Sequence, residues 1–131
     1  MAPKLESFLE NFCERDVDLC VVTETWLSHG SGLLQDDSVD LRLGEGIGAL
    51  HCGREDGRRG GGVAIFYRTS RLRVENITPK HNPHEIVAAL CSLRGTSRKI
   101  LCIGGYLTTA LSESEAEVYL EYINDLSLIH I

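Results

Sequence analysis

Residues Asp16–Trp26, with the sequence DVDLCVVTETW, predict a short buried strand that ends beside a carboxylate. The apolar run from Leu19 to Val22 is typical of a strand that is covered on both faces. In α/β layouts, ligands and catalytic groups collect at the carboxyl ends of such strands. Glu24 is therefore a candidate ligand for a hard cation such as Mg²⁺, and the alternative is a solvated or hydrogen-bonded structural residue.

The composition indicates one intracellular domain without a membrane span. The chain has 131 residues, of which 43% are hydrophobic, and no apolar run is long enough to cross a bilayer. Its five cysteines are odd in number and widely spaced, which favours reduced intracellular thiols over disulfides or a zinc site. The net charge of −6 argues against a simple nucleic-acid coating protein.

The basic residues are distributed unevenly along the chain. Six of the thirteen, all arginines, lie within residues 54–73, where only two residues are acidic. These arginines either form a solvated hairpin edge or contact phosphates, and both interpretations stay open. The candidate nucleic-acid contacts are Arg54, Arg58 and Arg59. The glycines at 60–62 precede a strand and lack the following Gly-Lys-Ser/Thr, so they do not form a phosphate-binding P-loop.

The apolar periodicity predicts an α+β domain with no internal repeat. An amphipathic helix face recurs near the N-terminus, through Leu5, Phe8, Leu9, Phe12 and Cys13. The expected elements are a helix, six strands and a helix, at about 3–15, 19–22, 49–52, 63–67, 72–77, 85–94, 98–106 and 112–126. Because Ile100–Ile103 is nearly all apolar, we expect its strand to be central, and Ser112 with Glu115 forms a capping-box pattern.

Three stretches carry a family resemblance: residues 18–27 (DLCVVTETWL), residues 59–66 (RGGGVAIF), and residues 100–106 (ILCIGGY) with the helix that follows. Together they resemble the endonuclease/exonuclease/phosphatase superfamily. More narrowly, they are similar to the apurinic-type endonuclease domain of non-LTR retrotransposon reverse transcriptases. The order and spacing of the three stretches, rather than any one of them, make the resemblance specific.

This resemblance implies a four-layer α/β sandwich, in which two facing mixed sheets are flanked by helices. It implies a Mg²⁺-dependent phosphodiester hydrolase that nicks target DNA for retrotransposition, with the intact element acting in the nucleus. Glu24 would bind the metal, and Tyr106 would lie in the active-site cleft and hydrogen-bond to the phosphate. The implied partners are Mg²⁺ and DNA, with no membrane and no stable protein partner.

Several family features have no match in this sequence. They are the first strand with its active-site Asn, the Asp-x-Asn strand after the last helix, and the later Ser-Asp-His that supplies the general base. The resemblance therefore implies an N-terminal fragment in which the C-terminal half of the sandwich is missing. We expect this fragment to be inactive alone, so that plasmid nicking with Mg²⁺ would show no dependence on Glu24.

The expected domain covers residues 1–125, and residues 126–131 are expected to lie outside it. The sequence LSLIHI at 126–131 resembles the translation of a transposase adapter used in sequencing libraries. The alternative is a genuine apolar helix end or tail strand.

Two other functions stay open. The first is a phosphatase of the same superfamily that acts on a small phosphate ester. The second, from a different class, is a noncatalytic interaction module, because an incomplete domain exposes sheet edges that promote association.

Overall fold

The computed structural model describes residues 2–25, 46–52, 62–79, 86–106 and 112–129, which form a small α+β fold. Two antiparallel three-stranded sheets and two helices make up this part of the chain. In chain order the elements are α1 (Ala2–Glu14), β1 (Leu19–Thr23), β2 (Ile47–Cys52), β3 (Val63–Arg68), β4 (Leu72–Asn76), β5 (Ile86–Leu93), β6 (Lys99–Gly105) and α2 (Glu113–Ile129). Neither helix is long and apolar enough, over its described residues, to cross a membrane.

The first sheet has the strand order β1-β3-β2, and the second has the order β4-β5-β6. The expectation of mixed sheets is wrong for the described strands, since every pair among them is antiparallel. Short turns can join antiparallel strands, and the turn at 94–98 between β5 and β6 is one of them. Gly95 takes a positive φ of 83° there, as the predicted hairpin requires.

Two expectations about burial are corrected by the strand order. β1 was expected to be covered on both faces, but it lies at an edge of its sheet and Val21 is 40% exposed. β6 was expected to be central, but it is also an edge strand, and Ile100 is 58% exposed. The central strands are β3 and β5, in which most of the apolar side chains are buried. An apolar run predicts a strand well, whereas its position in the sheet depends on which partners pair with it.

Three apolar clusters show how the elements pack. α1 lays Phe8, Leu9 and Phe12 against one face of the first sheet, while Cys13 is exposed rather than part of that face. The opposite face of this sheet shares a cluster with the second sheet, formed by Leu50, Val63, Ile65, Val87, Ala89 and Cys91. The other face of the second sheet packs against α2, through Ile86, Ile103, Tyr119, Tyr122, Ile123 and Leu126.

The predicted N-terminus of α2 is confirmed. Ser112 caps this helix, because its hydroxyl accepts the Glu115 N–H at 3.3 Å and donates to the Glu115 carboxylate at 3.0 Å. The helix continues through Ile129, and Leu126 is 6% exposed. The assignment of residues 126–131 to an adapter stays a prediction, since a buried leucine says nothing of its origin.

Charged side chains form a group of hydrogen bonds and ion pairs at one end of the first sheet. Arg71 donates to the Asp18 carboxylate at 2.6 Å and to the Asp16 carboxylate at 2.7 Å, contacts that raise the pKa of its guanidinium. Arg68 donates to the main-chain carbonyls of Val17 at 3.2 Å and Phe12 at 3.3 Å. We call these four charged residues, Asp16, Asp18, Arg68 and Arg71, the arginine end.

Candidate functional site

The opposite end of the first sheet holds the carboxylate that the sequence singles out. Thr23, the last residue of β1, pairs with Val63, the first residue of β3, and Cys52 at the end of β2 pairs with the same residue. Two strand ends and one strand start therefore meet here. Glu24 follows β1 directly and is exposed at this place.

Glu24 has an unusual backbone. Its φ is 57°, and the only other non-glycine residue with a positive φ in the described chain is Asp16. Glutamate tolerates this left-handed region poorly, and such a conformation costs on the order of 1–3 kcal/mol. Strained residues of this kind persist only where their surroundings hold them, and they cluster at functional sites.

The surroundings of Glu24 hold its neighbour Thr25 tightly. Thr25 is completely buried, and its N–H donates to the Gly62 carbonyl at 3.3 Å. Its hydroxyl shares a hydrogen bond of 3.0 Å with Nε2 of His51, a half-buried residue of β2. Gly62 has a φ of 90°, and a Cβ at this position would collide with Oγ1 of Thr25. The glycine thus makes room for the threonine hydroxyl.

Tyr106 lies at the same end of the molecule, just after β6. The preceding Gly104 fits against the first sheet, because a Cβ there would lie 2.8 Å from Cγ1 of Val21 and 3.0 Å from Cγ1 of Val63. The end of β6 therefore lies against the middle of β1 and the first residue of β3, and Tyr106 packs against the cluster between the sheets. We call Glu24, Thr25, His51, Gly62 and Tyr106 the glutamate end.

The predicted arginine contacts fall outside the described residues. Arg54, Arg58 and Arg59 belong to residues 53–61, which the structure leaves undescribed. The described residues on either side of this segment, Cys52 and Gly62, both lie at the glutamate end. The predicted DNA contacts are thus neither confirmed nor contradicted.

The described residues offer few protein ligands to a Mg²⁺ ion. Among them, no group of three or more His, Cys, Asp or Glu side chains could hold a metal ion. Mg²⁺ usually keeps several waters and binds through one or two carboxylates together with substrate phosphates. Exposed Glu24 suits that mode, in which the protein supplies one ligand, and does not suit a closed protein cage.

Three of the sheet cysteines, Cys20, Cys91 and Cys102, pack in or against the apolar clusters. Burial, with a smaller contribution from Cys102, raises the pKa of Cys91 to about 11. Burial also raises the pKa of Cys20 and Cys102. Because the thiolate is the nucleophile and metal ligand, thiols that stay protonated at neutral pH suit neither role.

The sequence did not single out His51 as a site residue, although it placed Thr25 within the family-like motif. The only signal was a polar residue in the otherwise apolar run Ile47–Cys52. Its partner Thr25 lies 26 residues away, so no local spacing could have paired them.

Comparisons with known proteins add no assignment. No protein-family model matches the chain, and no curated protein matches its sequence.

Proposed function

We propose that this chain is part of a Mg²⁺-dependent phosphodiesterase of the endonuclease/exonuclease/phosphatase superfamily, the domain of a non-LTR retrotransposon that nicks DNA. The observation that carries the proposal is Glu24, an exposed carboxylate held in a strained backbone just after β1, whose last residue pairs with the first residue of β3. Exposed carboxylates at strand ends are positioned to bind a metal together with a substrate phosphate.

The proposal includes the four-layer sandwich. Three packing contacts support it: α1 on one face of the first sheet, a cluster shared by the two sheets, and α2 on the far face of the second sheet. In this arrangement the cleft lies at the glutamate end, between the two sheets.

Each residue then has a role. Glu24 would hold Mg²⁺, and bound Mg²⁺ offsets the charge on phosphate oxygens during phosphodiester cleavage. Tyr106 would donate a hydrogen bond from its hydroxyl to a phosphate oxygen. Arg54, Arg58 and Arg59 would contact DNA phosphates and position the duplex.

Metal binding by Glu24 tests the proposal directly. Mn²⁺ can replace Mg²⁺ and is counted by electron paramagnetic resonance as the free ion disappears. We expect Glu24→Gln to weaken Mn²⁺ binding at least tenfold, because the neutral amide removes the one charged ligand. Glu75→Gln is the matched control, since Glu75 is an exposed carboxylate on β4. Equal Mn²⁺ affinities of the two variants would exclude Glu24 as the ligand and sink the proposal.

The substrate class is tested by competition. We expect a duplex oligonucleotide to bind the Mn²⁺-loaded chain and an inositol phosphate to displace it poorly, because the arginines of residues 54–59 match an extended phosphate backbone. Efficient displacement by the inositol phosphate would favour the small phosphate-ester alternative.

A noncatalytic interaction module is the second candidate, and exposed apolar side chains favour it. Ile100, Val118, Leu120 and Leu128 are each more than half exposed. Apolar surface of this kind often mediates association. Light scattering at increasing protein concentration tests this function, which predicts self-association that Val118→Glu and Leu120→Glu abolish. A monomer at all concentrations would exclude self-association.

A further inference from the structure

Thr25 is the most tightly fixed residue beside Glu24, and two different strands fix it. Its N–H is held by the carbonyl that immediately precedes β3, that of Gly62, and its hydroxyl is held by His51 from β2. The Thr25 side chain is completely buried, whereas His51 is half-buried. A hydrogen bond of Thr25 is costly to lose, because the buried Thr25 group left behind has no water to replace its partner.

The position of Thr25 limits what Glu24 can do. Two consecutive residues share one peptide plane, so a fixed Thr25 restricts the backbone of Glu24 directly. The left-handed φ of 57° at Glu24 needs such a restraint, because glutamate would otherwise relax into a more favourable region. The hydrogen bond between the side chains of Thr25 and His51 contributes to this restraint.

We propose that His51 is a positioning residue, which acts through the Thr25 hydroxyl to hold the Glu24 carboxylate in its metal-binding place. This inference rests on the proposed function for the role of Glu24, but the restraint itself does not. Neighbours that orient a metal ligand typically change metal affinity by 10–100-fold when they are removed.

A merely structural hydrogen bond would also stabilise the fold, so the test must read the backbone of Glu24. We expect Thr25→Val, which keeps the shape and removes the hydroxyl, to shift the NMR couplings that report φ at Glu24 in the metal-free chain. It should also weaken Mn²⁺ binding roughly tenfold. Thr25→Ser keeps the hydroxyl and should restore both values. Thr23→Val makes the same chemical change at the exposed residue before Glu24 and should alter neither.

His51 is tested in the same way. His51→Gln places an amide nitrogen near the position of Nε2 and should keep both the Glu24 couplings and the Mn²⁺ affinity close to their original values. His51→Leu removes the hydrogen-bonding group and should match Thr25→Val. If Thr25→Val and His51→Leu leave the couplings at Glu24 unchanged, the positioning role is wrong. A chain that unfolds on His51→Leu is still judged by Thr25→Val against Thr25→Ser.

The two proposals fail separately. If Glu24→Gln does not weaken Mn²⁺ binding while Thr25→Val shifts the Glu24 couplings, the proposed metal-binding role of Glu24 is wrong and the proposed restraint by Thr25 is supported. If Glu24→Gln abolishes Mn²⁺ binding while Thr25→Val shifts neither the couplings nor the affinity, the proposed metal-binding role of Glu24 is supported and the proposed restraint by Thr25 is wrong.

Discussion

At the two ends of β1 the chain turns through the same backbone conformation, with φ values of 56° at Asp16 and 57° at Glu24. Asp16 ends a helix: the Val17 N–H donates to the Phe12 carbonyl at 3.5 Å, as in a Schellman motif, whose left-handed residue lies where Asp16 does. Aspartate tolerates this region, and Arg71 binds its carboxylate. Helix geometry therefore explains the conformation of Asp16.

No helix ends at Glu24, and the residue type does not favour its conformation. At the glutamate end, the hydrogen bond between Thr25 and His51 and the close fit of Gly62 against Thr25 hold it instead. The same φ value thus has a local cause at the arginine end and a tertiary cause at the glutamate end. A strain that only tertiary packing maintains is the kind that points to function.

The largest expected effect is at Gly62. Gly62→Ala should lower the free energy of unfolding by about 2–3 kcal/mol, because it adds a collision with Thr25 to an unfavourable φ. Gly46→Ala is the control at the arginine end, where φ is 87° and the space around the added Cβ is open. It should cost about 1 kcal/mol. Urea unfolding measures both, and equal losses would mean that close packing does not hold the glutamate end.

The next effect is at Arg68. Arg68→Met should cost about 1–2 kcal/mol, because it removes the guanidinium that donates to the carbonyls of Phe12 and Val17. Methionine keeps an apolar stem for packing near Phe12, over whose ring the guanidinium carbon lies at 5.6 Å. Arg73→Met, at an exposed position of β4, should be nearly neutral in the same urea measurement. If Arg68→Met left the free energy of unfolding unchanged, the Arg68 side chain would not stabilise the end of α1.

Relief of strain should stabilise the glutamate end by a smaller amount. Glu24→Gly should raise the free energy of unfolding by about 0.5–1 kcal/mol, because glycine adopts a positive φ freely. Asp16→Gly should give almost no gain, since a helix-end motif already accommodates that φ and the contact with Arg71 is lost. Thermal unfolding at matched pH compares them. Equal gains would mean that the two turns do not differ in strain.

The smallest effect is at Arg71. Arg71→Met should lower the melting temperature only slightly at low salt, because both of its ion pairs are exposed to solvent. The loss should disappear in 1 M salt, where the screening length is only ~3 Å. Melting temperatures with and without salt measure it. A large loss of melting temperature that persists in 1 M salt would mean that Arg71 stabilises the arginine end by packing rather than by ion pairing.

The sequence predicted the elements well because each depends on local pattern. The apolar alternation at 72–77, the turn at 95–97 and the cap at Ser112 all lie within a few residues of the element that they define. The sequence did not predict the order of the strands correctly. An apolar run such as Ile100–Ile103 can form a central strand, and it can equally form an edge strand that packs on one face, as β6 does. Strand pairing is decided between distant segments.

For the site, the sequence located Glu24 and Tyr106 at strand ends, which is where the structure has them. The pairing of Thr25 with His51 could not be predicted, since it joins two strands across 26 residues through a single hydrogen bond. Nor could the left-handed backbone at Glu24, because no glycine or asparagine marks it. Roles in metal and DNA binding stay predictions.

Gly104 has a mechanical consequence for this arrangement. Its Cα faces the methyl groups of Val21 and Val63 across the space between the sheets. Because glycine has no side chain, β6 can approach β1 this closely. Any larger residue would act as a wedge on this side of the molecule alone. It would push the end of β6, and with it the neighbouring Tyr106, away from Val21 and Val63.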